Sequence, residues 1–144
     1  MFPAPHYTMN LRGKLVDLQR PWVMGILNVT PDSFYADSRT PMAEPERIAQ
    51  RVRQMLAEGA DVIDVGAYSS RPGADDISPM EEMRRLEVAL TAVREVFPEV
   101  YVSVDTFRSE VAHQCVEHFG VDMINDISGG VLDRAMPKVV ARLG

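Results

Sequence analysis

Hydrophobic residues in this chain fall into short runs that stop abruptly at polar loops, and the runs alternate with stretches of helical period. Met24-Gly25-Ile26-Leu27 ends in Asn28-Val29-Thr30-Pro31-Asp32-Ser33-Phe34, and Asp61-Val62-Ile63-Asp64-Val65-Gly66 ends in Ala67-Tyr68-Ser69-Ser70-Arg71-Pro72-Gly73. Tyr101-Val102-Ser103-Val104 ends in Asp105-Thr106, and Val121-Asp122-Met123-Ile124 ends in Asn125-Asp126 ahead of Ser128-Gly129-Gly130. Runs of this length predict short buried strands. The segments between them predict helices with readable ends. Ile48, Val52, Met55 and Leu56 share one face of a helix that starts near Glu44 or Pro45, and Gly59 follows where a left-handed terminal residue is wanted. Ser78 as N-cap, Pro79 at the first helical position and Glu81 three residues after the cap form a capping box. Met83, Leu86, Leu90 and Val93 are that helix's core stripe, and Pro98 stops it. A third helix runs from about Phe107 to Phe119, with Val111, Cys115 (or Ala112), Val116 and Phe119 inward and Gly120 at its end. A last one enters at Pro137, where proline is tolerated, and runs to Leu143. Ahead of these units, residues 7–20 alternate loosely from Tyr7 to Leu18 around Arg12-Gly13-Lys14, which predicts a β-hairpin turned at Gly13. That hairpin could plug one end of what the following βα units, 22–144, build.

Strands each followed by a helix leave a doubly wound sheet or a (β/α)8 barrel. The loop after the first strand has no glycine after Gly25, so it is neither a dinucleotide fingerprint nor a phosphate-binding P-loop. Polar residues at four consecutive strand ends suit a barrel, where every strand end faces one mouth. The fold class is therefore α/β, the first half of a (β/α)8 TIM barrel of about four βα units preceded by the hairpin; a full barrel takes about 250 residues. With 144 residues, 46% of them apolar, and no linker or repeat, 1–144 reads as a single domain.

Charge and cysteine content narrow the partners. The net charge is −6, with Lys and Arg scattered among more numerous acids, which argues against a nucleic-acid partner and for a small molecule. No apolar run approaches the roughly 20 residues of a membrane helix, and the N-terminus is not of signal-peptide type. Cys115 is the only cysteine, which is compatible with a reducing, cytoplasmic location.

Each candidate site residue has a plainer alternative. Asn28 and Asp32 could be turn chemistry. Asp105 could cap the helix after it, unless Thr106 does so. Asn125-Asp126 could be a simple strand exit. Arg71, beside two hydroxyls on a loop stiffened by Pro72, suits a carboxylate or phosphate, although it could be a solvated surface cation. His113, Cys115 and His118 do not converge on one face of a helix, so a zinc site is not expected.

Taken together, Met24 to Phe34, Asp64-Val65-Gly66 with Ser69-Ser70-Arg71-Pro72-Gly73, Ser103-Val104-Asp105-Thr106 and Ile124 to Gly130 resemble dihydropteroate synthase, a barrel family of folate biosynthesis. The resemblance implies condensation of 6-hydroxymethyl-7,8-dihydropterin diphosphate with 4-aminobenzoate to give 7,8-dihydropteroate and diphosphate, with sulfonamides as mimics of 4-aminobenzoate. It implies Asn28 and Asp105 as catalytic residues, Asn28 meeting the Mg²⁺ that accompanies the diphosphate. Ser70, Asp105 and Asn125 would bind the pterin substrate, Ser70 through its diphosphate. Asp32, Ser33, Phe34, Ser70, Arg71 and Pro72 would form the loops around 4-aminobenzoate. Two departures stand out: Tyr68 occupies the place of a frequent glutamate, and Tyr35-Ala36-Asp37 replaces a Ser-Asp-Gly-Gly stretch.

The family's second half carries a further pterin-binding Asp, a Lys and an Arg-x-His set that this chain lacks. The expectation is a C-terminally truncated chain, weakly active or inactive, whose bare half-barrel surface favours a homodimer. The competing functions are a methyltetrahydrofolate-dependent methyltransferase barrel and a half-barrel that binds pterin without chemistry.

Overall fold

The computed structural model describes residues 7–30, 44–69, 73 and 75–144. β1 (Thr8–Leu11) and β2 (Lys14–Asp17) pair antiparallel across a two-residue turn. Arg12 (φ 50°) and Gly13 (φ 78°) are both left-handed there, as the twist of a tight hairpin requires. β3 (Met24–Asn28), α1 (Glu44–Ala57), β4 (Val62–Gly66), α2 (Pro79–Val96), β5 (Tyr101–Asp105), α3 (Ser109–Phe119), β6 (Met123–Asn125) and α4 (Met136–Leu143) follow. Among the described residues, these later strands form one open, parallel sheet in the order β3-β4-β5-β6. Each strand lies beside the one that precedes it in the chain, the arrangement of half a (β/α)8 barrel.

Alternation along the strands gives the sheet two different faces. Leu27, Ile63, Val65, Val102 and Val104 are at most 2% exposed and cluster with Ile48 and Val52 of α1, Leu86, Leu90 and Val93 of α2, and Val111 and Cys115 of α3. Burying each such side chain stabilises the fold by about 1.5–3 kcal/mol, so this layer holds the sheet. The opposite face carries Met24, Ile26 and Asn28, then Val62, Asp64 and Gly66, then Tyr101, Ser103 and Asp105, then Met123 and Asn125. Trp22 packs on Tyr101 at its lower end, with ring centroids 5.1 Å apart, and Val62 on the strand between them is buried. Higher up, Ile26 is 63% exposed.

The helix ends follow the sequence signals with small shifts. Ser78 Oγ accepts from the Glu81 amide at 3.2 Å, which completes the predicted cap of α2. Gly120, at φ 60°, closes α3. α3 begins at Ser109 rather than near Phe107, because Thr106 Oγ1 takes the Arg108 amide (3.2 Å) in a local turn and Asp133 Oδ2 takes that of Ser109 (2.8 Å). Ala112 and Cys115 are both buried, where one was expected. α4 starts one residue early, at Met136, which is itself buried.

Polar side chains tie the starts of the strands together. Arg94 donates to the carbonyls of Val100 (2.7 Å) and Gly120 (2.7 Å), and Asp122 Oδ2 accepts from the Val102 amide at 2.9 Å. Arg20 forks onto Asp61, which also accepts from the Val23 amide at 2.9 Å. The hairpin sits at this same end: the Arg12 guanidinium lies against Gly120, and Leu11 is buried beside Val121 and Ile124. The hairpin thus lies beside the start of β6, with a cavity of about 280 Å³ between it, β6 and α4. No described helix is long and apolar enough to cross a membrane.

Candidate functional site

Parallel register puts Asn28 opposite Gly66, Gly66 opposite Asp105, and Asp105 opposite Asn125, one row across the sheet at its carboxyl edge. Three of the residues singled out from separate sequence runs are thereby neighbours. Gly66 keeps the row open. A Cβ placed there would stand 3.5 Å from Asn28 Oδ1 and 3.5 Å from Asp105 Cβ, so any longer side chain would fill the space between the two polar groups.

The alternative readings separate at this edge. Asp105 caps nothing, since the first amides of α3 go to Thr106 and Asp133. Asn125 and Asp126 part company. Asp126 is turn chemistry: Oδ1 accepts from the amide and hydroxyl of Ser128 and Oδ2 from the Gly130 amide, all at 2.8 Å. Asn125 belongs to the row, and its Nδ2 donates to Asp64 Oδ2 at 3.0 Å. That bond leaves the side-chain Oδ1 of Asn125 without a hydrogen-bond partner among the described residues, while its backbone carbonyl accepts from the Thr106 amide at 2.9 Å. Asp64 is 3% exposed, and its other oxygen and the hydroxyl of its register partner Ser103 are buried without a hydrogen-bond partner among the described residues. Unpaired polar atoms beneath a polar row mark a surface shaped for something other than packing.

Asp105 is half-buried, and desolvation together with the charges of Asp64, Glu82 and Asp126 raises its pKa above the ordinary carboxylate value. Here the folded state holds the proton more tightly than the unfolded chain does, so ionising Asp105 opposes folding as pH rises through that window. Asp105→Asn is expected to be more stable than the parent at pH 7, with the difference closing as pH falls into the ordinary carboxylate range. Thermal melts from pH 3 to pH 8 check this, and a constant difference would refute it. An acid held in this way suits a ligand edge that donates hydrogen bonds or develops positive charge.

Beside the row is a cavity of about 490 Å³, lined by Asp105, Thr106, Phe107, Tyr68, Ile127 and Leu132, within the range of small-molecule sites. Tyr68 and Phe107 meet edge to face at 5.1 Å, and the Arg108 guanidinium lies over both, 5.2 and 4.9 Å from their centroids. Asp32, Ser33, Phe34, Asp37, Ser70, Arg71 and Pro72 lie outside the described residues. Burial pushes the Cys115 thiol up to about 12, which leaves it inert, and His113 and His118 are exposed on the same helix. Among the described residues, no group of three or more His, Cys, Asp or Glu could hold a metal ion.

Sequence reading named Asp64 only as part of a motif and gave no role to it, to Glu82 or to Arg108. Asp64 is the acid inside an otherwise apolar run, and Glu82 lies one helical repeat before Leu86 on the stripe of α2; both positions were signals of a buried charge.

A family model described as pterin binding enzyme matches residues 24–144. The mitochondrial folate synthesis bifunctional protein of Arabidopsis thaliana is 49% identical over 124 residues, 85% of this chain and 22% of that protein. The dihydropteroate synthase of Clostridium beijerinckii is 40% identical over 124 residues, 86% of this chain and 45% of that enzyme. Among solved structures, Xanthomonas albilineans dihydropteroate synthase with 4-aminobenzoic acid superposes with a TM-score of 0.80 at 33% identity, covering 96% of this chain and 49% of that one. The chain spans half or less of the length of these relatives.

Proposed function

This chain belongs to the pterin-binding enzymes, and on that premise we propose that it carries the pterin half of a dihydropteroate synthase site. The substrates are 6-hydroxymethyl-7,8-dihydropterin diphosphate and 4-aminobenzoate, and the products are 7,8-dihydropteroate and diphosphate. The observation that carries the reading is the row Asn28, Gly66, Asp105, Asn125. Asp105 and Asn125 Oδ1 are adjacent acceptors for the N–H groups on a pterin edge. Asn28 is two strands away, about 10 Å along the row, a reach that suits a phosphate on the far side of a bicyclic ring.

The aniline nitrogen attacks the pterin methylene carbon as the C–O bond to diphosphate breaks, and the nitrogen's proton passes to water. Positive charge grows on the pterin, and Asp105, set among other acids, favours it. The leaving diphosphate needs the opposite charge. Asn28 offers one neutral oxygen at an exposed strand end, which fits Mg²⁺, a hard ion that takes few protein ligands and otherwise binds phosphates and water. When bound, Mg²⁺ neutralises charge on the departing diphosphate. Ser70 contacts the diphosphate, and Asp32, Ser33, Phe34, Arg71 and Pro72 supply the 4-aminobenzoate pocket, where a sulfonamide competes. The reading includes a cytoplasmic location and, because Met24 and Ile26 on the edge strand β3 are exposed, pairing of two chains as a homodimer.

Calorimetry with pterin diphosphate and Mg²⁺, followed by release of diphosphate on adding 4-aminobenzoate, tests the proposal. Mg²⁺-dependent binding is expected, followed by diphosphate release when 4-aminobenzoate is added. Absence of binding would sink the proposal, and binding without any diphosphate release would reduce it to pterin recognition alone. Gly66→Ala is expected to bind normally. Gly66→Leu, whose side chain would fill the space between Asn28 and Asp105, is expected to lose pterin diphosphate affinity by about 100-fold or more and, because Gly66 is buried, to melt a few degrees lower while remaining folded.

A further inference from the structure

Arg108 touches both ends of one loop. Its Nη2 donates to the Ile77 carbonyl at 2.7 Å and lies 3.4 Å from Asp76 Oδ1, at the end of the β4–α2 connection. Its face covers the ring of Tyr68, at the start of the same connection. Its Nη1 donates to Glu82 of α2, a carboxylate with no exposure. Its own backbone stands three residues after Asp105. One guanidinium thus joins the two ends of the β4–α2 connection, a buried anchor on α2, and the loop that bears the central acid.

We propose that Arg108 is a positioning residue, with Tyr68 as its aromatic seat, that fixes Tyr68 and Ile77, the two ends of the β4–α2 connection, relative to Asp105. The inference rests on the proposed function, which gives the β4–α2 connection the diphosphate and the second substrate. Only arginine suits the position. A planar guanidinium donates outward in its plane while its face stacks on rings, whereas an ammonium cannot reach Ile77 and Glu82 while lying flat against Tyr68 and Phe107. Tyr68 also acquires a reason. A carboxylate at that position would meet Arg108 as an ion pair, and the ring meets it through its face, leaving Glu82 as the buried counter-charge.

The test compares two ligands in the 144-residue chain: 6-hydroxymethylpterin, which needs only the row, and its diphosphate with Mg²⁺, which also needs the connection. In Arg108→Lys and in Tyr68→Ala, affinity for the diphosphate is expected to fall about tenfold further than affinity for the bare pterin. Tyr68→Phe, which keeps the ring, should match the parent. In Tyr68→Ala the backbone amide resonance of Ile77, at the other end of the connection, should shift. Equal loss of both ligands, loss of neither, or an unmoved Ile77 resonance overturns the proposal. Should the parent bind neither ligand, the functional reading fails instead, and the Ile77 resonance alone decides whether Arg108 links the two ends.

Discussion

Asp105→Ala is expected to lower affinity for 6-hydroxymethylpterin by about 10- to 100-fold, the equivalent of one charge-assisted hydrogen bond, about 1.5–3 kcal/mol. The size follows from what Asp105 does not do. It caps no helix, because Thr106 and Asp133 take the first amides of α3, so its carboxylate is available to a ligand. Its neighbours Asp64, Glu82 and Asp126 make the ionised form unfavourable in the empty site, and a donor-rich or cationic edge relieves that. Removing it should therefore lose binding without losing the fold. Calorimetric titration beside a thermal melt separates the two, and unchanged affinity in a folded variant would leave Asp105 with no role in recognition.

The largest stability effect is expected at Arg108. Arg108→Met leaves Glu82, with no exposure to solvent, as an unpaired buried charge, which destabilises a fold by about 3–5 kcal/mol. For a chain of this size that is a fall of about 10 °C or more in melting temperature. Replacing Glu82 as well should recover most of the loss, because the attraction within a buried pair largely offsets its own desolvation and the damage comes from orphaning one partner. Urea unfolding of the parent, Arg108→Met, Glu82→Met and the double variant measures the coupling. A double variant no more stable than Arg108→Met would show that the guanidinium matters for its loop contacts rather than for Glu82.

Legibility in the sequence divides between local and distant causes. The strand runs, the Ser78 cap, the stop at Gly120 and the turn at Gly13 are each decided within a few residues, and each is found close to where it is read. The two contacts that organise the site are not local. Asn125 and Asp64 are 61 residues apart, and Arg108 and Glu82 are 26 apart, so nothing in either neighbourhood announces the pairing. Asn125 and Asp126 make the same point. Adjacent and chemically similar, they differ only in which way the end of β6 turns them: one to a distant carboxylate on the open face, the other into its own loop. Asn28, Asp105 and Asn125 were each ambiguous alone, and what joins them is register, which spacing within one strand does not contain.

The order β3-β4-β5-β6 also has a temporal meaning. Each of β4, β5 and β6 pairs with the strand made just before it, so each of these units leaving the ribosome finds its partner already made. The row is thereby written from left to right during synthesis. Asn28 comes first, Gly66 leaves the gap, Asp105 follows, and the Asn125 amide comes last, so the row is complete only when the growing chain has delivered the fourth strand of the sheet.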